Sequence, residues 1–269
     1  MITINIDPVA FSIGPLAIRW YGLMYVVGIV IGLLVAWPYA KSKGINEDKL
    51  EILVFISIIA GIVGARLYYV IQQPLEQFIA DPVKIIAVWE GGMAFYGAVF
   101  AVVITLIIGG WRMKMSVWRL LDMVGLFAIV GQFFGRIGNI INGDVIGYPT
   151  DLPWGFIYAH PSSFAPSHDI AYQPAAVYEA LMNVVIFIPM WLLRNKLKPG
   201  QLFFFYIFAY SVGQIILFTL RDNVVIFLGL KQAQLTAIAV IIVAAIAYWW
   251  FFIRPGKSSS AGENIGNSG

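Results

Sequence analysis

Seven stretches of this 269-residue chain are apolar for long enough to cross a lipid bilayer. That recurrence constrains the fold more than any other feature. A helix needs about 20 apolar residues to cross the hydrocarbon core, and inside lipid every backbone N–H and C=O must find its partner within the protein. The stretches are Leu16 to Trp37, Leu50 to Ile71, Ala94 to Ile108, Val117 to Phe134, Ala175 to Leu193, Gln201 to Leu220 and Gln234 to Ile253. The third is the shortest, with an earlier start available around Val83 to Trp89. Composition agrees: 60% of residues are hydrophobic and 12% charged, with a mean hydropathy of +0.83, whereas soluble domains carry about 25% charged residues. The chain reads as an all-α integral membrane protein with seven transmembrane helices. One membrane domain is expected over residues 1–255, followed by a disordered Gly/Ser-rich tail at 256–269.

The net charge of +3 does not point to nucleic acid, because Lys and Arg sit in short loops between apolar runs and form no long basic stripe. Eleven of them fall in the loops after the first, third and fifth stretches and in the C-terminal tail; Lys84, Arg136, Arg221 and Lys231 fall on the other side. By the positive-inside rule the N-terminus lies outside and the C-terminus in the cytoplasm, as an odd number of spans requires. The N-terminal segment lacks a basic region and a small-residue cleavage site ahead of its first apolar run, so that run is expected to be retained as a span. The long connection from Gly135 to Pro174, rich in Pro and aromatic residues, then faces outward, and a connection of that length is more often functional than not. No internal repeat supports the inverted halves of a transporter. The chain has no cysteine, so any thiol chemistry must use a sulfur brought by a substrate.

Polar residues inside such spans need a reason, since a charge at mid-bilayer costs about 2.5 to 3.5 kcal/mol on insertion scales. Arg19 and Asp122 lie near span ends, where snorkelling to the interface and a functional role are equally open. Arg66 follows ISIIAGIVGA and is better placed to line a cavity; Glu179, in AAVYEALMN, is the acid best placed to face a cationic partner, with a plain structural Arg–Glu pair as the alternative. The densest polar cluster is GRIGNIINGD, Gly135 to Asp144. If the fourth helix continues through it, Arg136 and Asn139 share a face at i and i+3, and Gly143 breaks the helix so that Asn142 and Asp144 converge on them. Glycines let a ligand approach the backbone, and the planar fork of Arg136 suits bidentate phosphate recognition. The cluster describes either a site for an anionic phospholipid headgroup at the outer membrane boundary or a polar helix end with a Gly stop signal, and four polar side chains so close together favour the first. In WEGGMAFYGA, Trp89 to Ala98, the small residues serve close helix packing at least as well as a ligand, and Tyr96 is either an interfacial anchor or a hydrogen-bonding group. His160 and His168 match no metal-site spacing, and no metal or cofactor is expected.

These residues carry a resemblance that spacing alone does not name. GRIGNIINGD followed by Gly147 resembles the signature of the bacterial prolipoprotein diacylglyceryl transferase family. IDPVAFSIGPLAIRWYGLMY, GARLYYVI, WEGGMAFYG and YQPAAVYEAL resemble further elements of that family, in the right order and over most of the chain. Where the family signature usually has Glu, Asp144 stands here; in SVGQIILFTLRD, Gln214 and Phe218 occupy places that often hold Arg and Glu, leaving Arg221 and Asp222.

The resemblance implies transfer of a diacylglyceryl group from phosphatidylglycerol to the lipobox cysteine of a preprolipoprotein signal peptide. It also implies a multi-pass protein of the bacterial cytoplasmic membrane with its active site toward the outer face. Such chemistry needs a cation on the leaving phosphate and a group that takes the thiol proton. Arg136 is the first choice for the phosphate, supported by Asn139, Asn142 and Gly143. Tyr21, Arg66, Glu179 and Arg221 are expected to complete the substrate cavity, and Asp144 or Tyr96 to take the proton. The alternative is a catalytically weakened relative that binds anionic lipid or a signal peptide without turnover.

Overall fold

The computed structural model describes residues 1–14, 16–74, 76–88 and 92–254, without the side chains at 16, 80, 95 and 96, and the chain is mostly helical. Its N-terminal strands β1 (Ile2–Ile4), β2 (Val9–Ile13) and β3 (Leu16–Arg19) lead into α1 (Trp20–Ser42). Then come α2 (Glu47–Gln72), the short α3 (Glu76–Ala80), a 3-10 turn over Pro82–Ile85, α4 (Phe95–Arg112) and α5 (Val117–Asn142). Two short strands, β4 (Phe156–Tyr158) and β5 (Ala171–Tyr172), precede α6 (Ala175–Leu193) and α7 (Gln201–Leu217). A hairpin of β6 (Val225–Phe227) and β7 (Leu230–Lys231) leads into α8 (Gln232–Tyr248), which runs on as a π-helical turn over Trp249–Ile253. Among the described residues, α1, α2, α5, α6 and α8 with its π turn are long and apolar enough to cross a membrane, while α4 and α7 are apolar but shorter. The expected disordered tail at 256–269 lies outside the described residues.

Helix α5 is the hub: it packs against α1, α4, α6 and α7, while α2 pairs with α4 and α8 with α7. Its buried residues Leu120, Leu126 and Ile129 meet Leu50, Leu53, Met190 and Leu202 in one core. Small residues set the close approaches, as lipid-embedded helices require when no hydrophobic drive separates protein from solvent. A Cβ on Gly28 would lie 3.2 Å from the Gly131 backbone, and one on Gly138 would lie 3.0 Å from the Tyr21 Cα, so the lack of a side chain at these positions lets α1 press onto α5. Gly64 and Gly97 bring α2 and α4 into backbone contact in the same way, which accounts for that glycine of WEGGMAFYGA as packing. On the outside, large apolar side chains such as Leu34, Phe55, Val185 and Val243 are exposed, the inverse of a soluble protein's surface.

The first span begins later than the sequence predicts. Leu16–Arg19 form a strand paired antiparallel with Val9–Ile13, and the helix starts at Trp20. Gly14, at φ +58, lies in the turn between the two strands. A short apolar run is compatible with either strand or helix, so periodicity could not separate them. Arg19 therefore ends a strand, with its guanidinium 4.7 Å from the Phe164 ring centroid, and does not sit inside a span. Asp122 does not snorkel either. It is 1% exposed and accepts the Gly200 and Phe203 N–H groups at 2.7 and 2.8 Å, with the Tyr39 hydroxyl at 3.4 Å. A carboxylate from α5 thus caps the N-terminus of α7, where orphan donors and the helix dipole favour negative charge.

The connections 43–46, 113–116 and 194–200 are short, whereas every described strand precedes α1 or joins α5 to α6 or α7 to α8. Strand β4 pairs parallel with β1 and antiparallel with β5, tying the N-terminus to the long connection. His160 and His168 serve that loop: the Nδ1 of His160 accepts the Ser162 N–H at 3.2 Å, and His168 lies 2.8 Å from the Tyr158 carbonyl.

Candidate active site

The end of α5 builds the site. The helix continues through Asn142, as the glycine-punctuated cluster predicts if it stays helical, and stops where Gly143 adopts a left-handed φ of +74. The Gly143 N–H donates to the Asn139 carbonyl at 2.8 Å, the usual closure of a helix end. A Cβ at Gly143 would also lie 3.0 Å from the Tyr158 ring, so both backbone and space call for glycine. The reversal brings Asp144 back over the last turn. Asn139 Nδ2 donates to Asp144 Oδ1 at 2.9 Å, while its Oδ1 accepts from Arg136 Nη1 at 3.2 Å. Arg136, Asn139 and Asp144 form one chain, with Asp144 exposed at its outer end. The nearby Tyr158 hydroxyl has its pKa pushed up, first by burial and then by the Asp144 charge.

Helix α6 supplies the counter-charge. Glu179 is fully buried at 0% exposure, one turn into α6 behind Pro174. Its Oε2 lies 2.5 Å from Arg136 Nη2 and its Oε1 lies 3.1 Å from Arg221 Nη1, while Gln214 Nε2 donates to Oε2 at 3.3 Å. Tyr210, one turn before Gln214 on α7, stands beside Arg136. A buried carboxylate would be costly without such partners. Two guanidiniums share one carboxylate, so the buried cluster carries an excess of one positive charge. Arg136 spends donors on Asn139, Glu179 and Tyr210, and the rest of its five N–H groups remain open to an anion.

The cluster is also unsaturated. Arg221 Nε, Asn142 Oδ1 and both polar side-chain atoms of Asn183, which lies one turn below Glu179, are buried without a hydrogen-bond partner. Buried polar groups are ordinarily satisfied, and each such exception asks for a ligand, a water or a functional reason. Two of these atoms flank the Arg136–Glu179–Arg221 cluster in chain and helix position.

Of the residues expected from sequence, Arg136, Asn139, Asn142, Gly143, Asp144, Glu179 and Arg221 meet at this end of the bundle. Tyr21 joins them from α1, packed against Gly138 with its hydroxyl 3.0 Å from that of Tyr25. Arg66 has a different described environment: it donates to the carbonyls of Lys84, Ile85 and Gly92, the Ile85 and Gly92 contacts being 3.0 Å, and so fixes the segment that leads into α4. Tyr96 falls in the first turn of α4, and its side chain lies outside the described residues. Gln214 and Tyr210 also belong to the site, and their i, i+4 spacing on α7 is the local signal in the sequence that points to them.

The geometry coincides with a clear relationship. The family model for prolipoprotein diacylglyceryl transferase matches residues 8–250. A phosphatidylglycerol–prolipoprotein diacylglyceryl transferase of Pseudomonas putida is 36% identical, over 96% of this chain and 98% of its own. Its namesake in Cupriavidus necator is 34% identical, over 94% of this chain and 96% of its own. Another in Halalkalibacterium halodurans is also 34% identical, over 91% and 86% respectively. With the signature helix end, its paired carboxylate and near-full-length likeness all in hand, the chain belongs to the prolipoprotein diacylglyceryl transferase family.

Proposed function

We propose that this chain transfers the diacylglyceryl group of phosphatidylglycerol to the lipobox cysteine thiol of a preprolipoprotein, the first step of lipoprotein maturation. The observation that carries the reading is the buried Arg136–Glu179–Arg221 cluster, with its surplus positive charge and the orphaned Nε of Arg221. It offers a phosphate two guanidiniums already oriented by one carboxylate, at the end of the bundle where the strands gather. Seven membrane crossings, counting the shorter α4 and α7, set that end on the outer face of the bacterial inner membrane with the C-terminus in the cytoplasm. The charge asymmetry of the loops supports this orientation.

In the reaction the substrate's sulfur forms a bond to the glyceryl C3 carbon as the bond from that carbon to the phosphate oxygen breaks. Glycerol phosphate leaves with the bonding pair. Negative charge grows on the leaving phosphate, and preorganised donors in a water-poor site stabilise it far better than water does. Arg136 grips that phosphate with the N–H groups not spent on Glu179, Asn139 and Tyr210, and Arg221 assists through Nε. Asn142 lies at the same helix end, and Tyr21 walls the site from α1. Gly143 makes the reversal that puts Asp144 in reach of Asn139. Asp144, exposed and held through Asn139, takes the thiol proton, with Tyr96 the alternative base. Arg66 acts through the segment it holds at the start of α4. The sulfur comes from the peptide, as a chain without cysteine requires.

Purified protein reconstituted with phosphatidylglycerol and a lipobox peptide tests this directly. Release of glycerol phosphate together with lipid-modified peptide is expected. Lipid and peptide binding with no release would favour a weakened relative, the reading to which Gln214 and Phe218 lend support.

A further inference from the structure

One buried cation takes no part in the cluster described above. Lys231, the last residue of β7, is 4% exposed, and no described carboxylate pairs with it. Its ammonium donates to the Phe218 carbonyl at 2.7 Å, to the Tyr148 hydroxyl at 3.1 Å and to the Arg221 carbonyl. All three of its donors are thereby used. A lone buried ammonium is expensive, but its two carbonyl acceptors lie at and just beyond the C-terminus of α7, where orphan carbonyls and the helix dipole concentrate negative potential. Gln234, three residues on, reinforces the join by donating to the Ile215 carbonyl at 2.9 Å. The segment between is clasped from the other side. Tyr148 N–H donates to the Leu220 carbonyl at 3.1 Å, and Gly147 forms a β-bridge with Arg221. The backbone of Arg221 is thus held between the chain that follows α5 and the ammonium of Lys231, while its side chain reaches 3.1 Å from Glu179.

We infer that Lys231 is a positioning residue for the anion site: it sets the backbone of residues 218–221 so that the Arg221 guanidinium stands against Glu179 and faces the lipid phosphate. Its charge serves the helix end and its influence on the lipid passes through Arg221. The inference rests on the reading of Arg221 as a phosphate ligand. Tyr148 shares the task by accepting one of the three bonds and donating its own N–H to the same segment.

A double-mutant cycle on the full chain in detergent or nanodiscs tests it, with phosphatidylglycerol affinity and transfer kinetics as readouts. Lys231→Met is expected to weaken lipid affinity roughly tenfold, the scale of one charge-assisted hydrogen bond. Lys231→Arg should restore most of that loss. In an Arg221→Gln background, Lys231→Met should add almost nothing, because residues that act as a unit are not additive. Should Lys231→Met fail to insert, Tyr148→Phe serves in its place, with a smaller loss that again vanishes beside Arg221→Gln. Full additivity, or a loss that Lys231→Arg does not recover, would overturn the inference while leaving the transferase reading intact. If Arg221→Gln itself binds lipid as the wild type does, the phosphate role of Arg221 fails and the inference falls with it.

Discussion

Glu179→Gln separates holding the guanidiniums from merely attracting the lipid. The substitution keeps the side-chain shape and removes the one buried negative charge between Arg136 and Arg221. In the wild type each guanidinium has its own carboxylate oxygen, at 2.5 and 3.1 Å, and the carboxylate is wholly buried. Hydrogen bonds to charged groups contribute about 1.5 to 3 kcal/mol each, and breaking a buried ion pair by removing one partner costs about 3 to 5 kcal/mol. A glutamine oxygen can keep one of the two contacts, so a loss of about 3 kcal/mol in transition-state stabilisation is expected, or roughly 100-fold in rate. The charge balance moves the other way, because the cluster's surplus rises from one positive charge to two. Lipid binding at low salt should therefore hold or tighten while kcat falls, a split that points to misplaced donors and not to weaker attraction. Liposome assays over a range of phosphatidylglycerol content, at two ionic strengths, measure both. An unchanged kcat, or a rise in KM with kcat intact, would refute the reasoning.

Two further substitutions probe the frame of the site. Gly143→Ala forces a left-handed residue with a Cβ against the Tyr158 ring; it should destabilise the protein by about 1 to 2 kcal/mol from the backbone alone and lower turnover, as thermal melting and transfer rates would report. Asp122→Ala leaves the buried N-terminus of α7 uncapped, at the opposite end of the bundle; a loss of about 2 kcal/mol in stability is expected, with KM for the lipid unchanged in the protein that does fold.

How far the fold could be read in advance differs by element. The fourth apolar stretch shows its helical continuation in the spacing of Arg136 and Asn139, and its stop in Gly143, because both are local rules of helix geometry. Glu179 could be expected to face a cation because a carboxylate in an apolar span has few other uses. Strand β3 is hidden because FSIGPLAI is apolar enough for either period; the Gly14 that turns it back onto β2 is the one local hint of a hairpin. Asp122 caps a helix 78 residues away in sequence, and no local pattern announces that. Lys231 reads in sequence as one more charge on the less basic side; its burial at the end of α7 is a tertiary fact. Gln214 reaches Glu179 in the fold, beside Arg221 on the same carboxylate.

The central claim is that the Arg136 guanidinium holds the lipid phosphate while the peptide's sulfur displaces it. Mass spectrometry of a lipobox peptide incubated with phosphatidylglycerol liposomes and either wild type, Arg136→Lys or Arg136→Ala tests it most directly. The account predicts a diacylglyceryl mass gain with wild type, a much slower gain with Lys, whose point charge lacks the two-pronged contact, and none with an Ala variant that still inserts in the membrane. Modification by Arg136→Ala at the wild-type rate would contradict it.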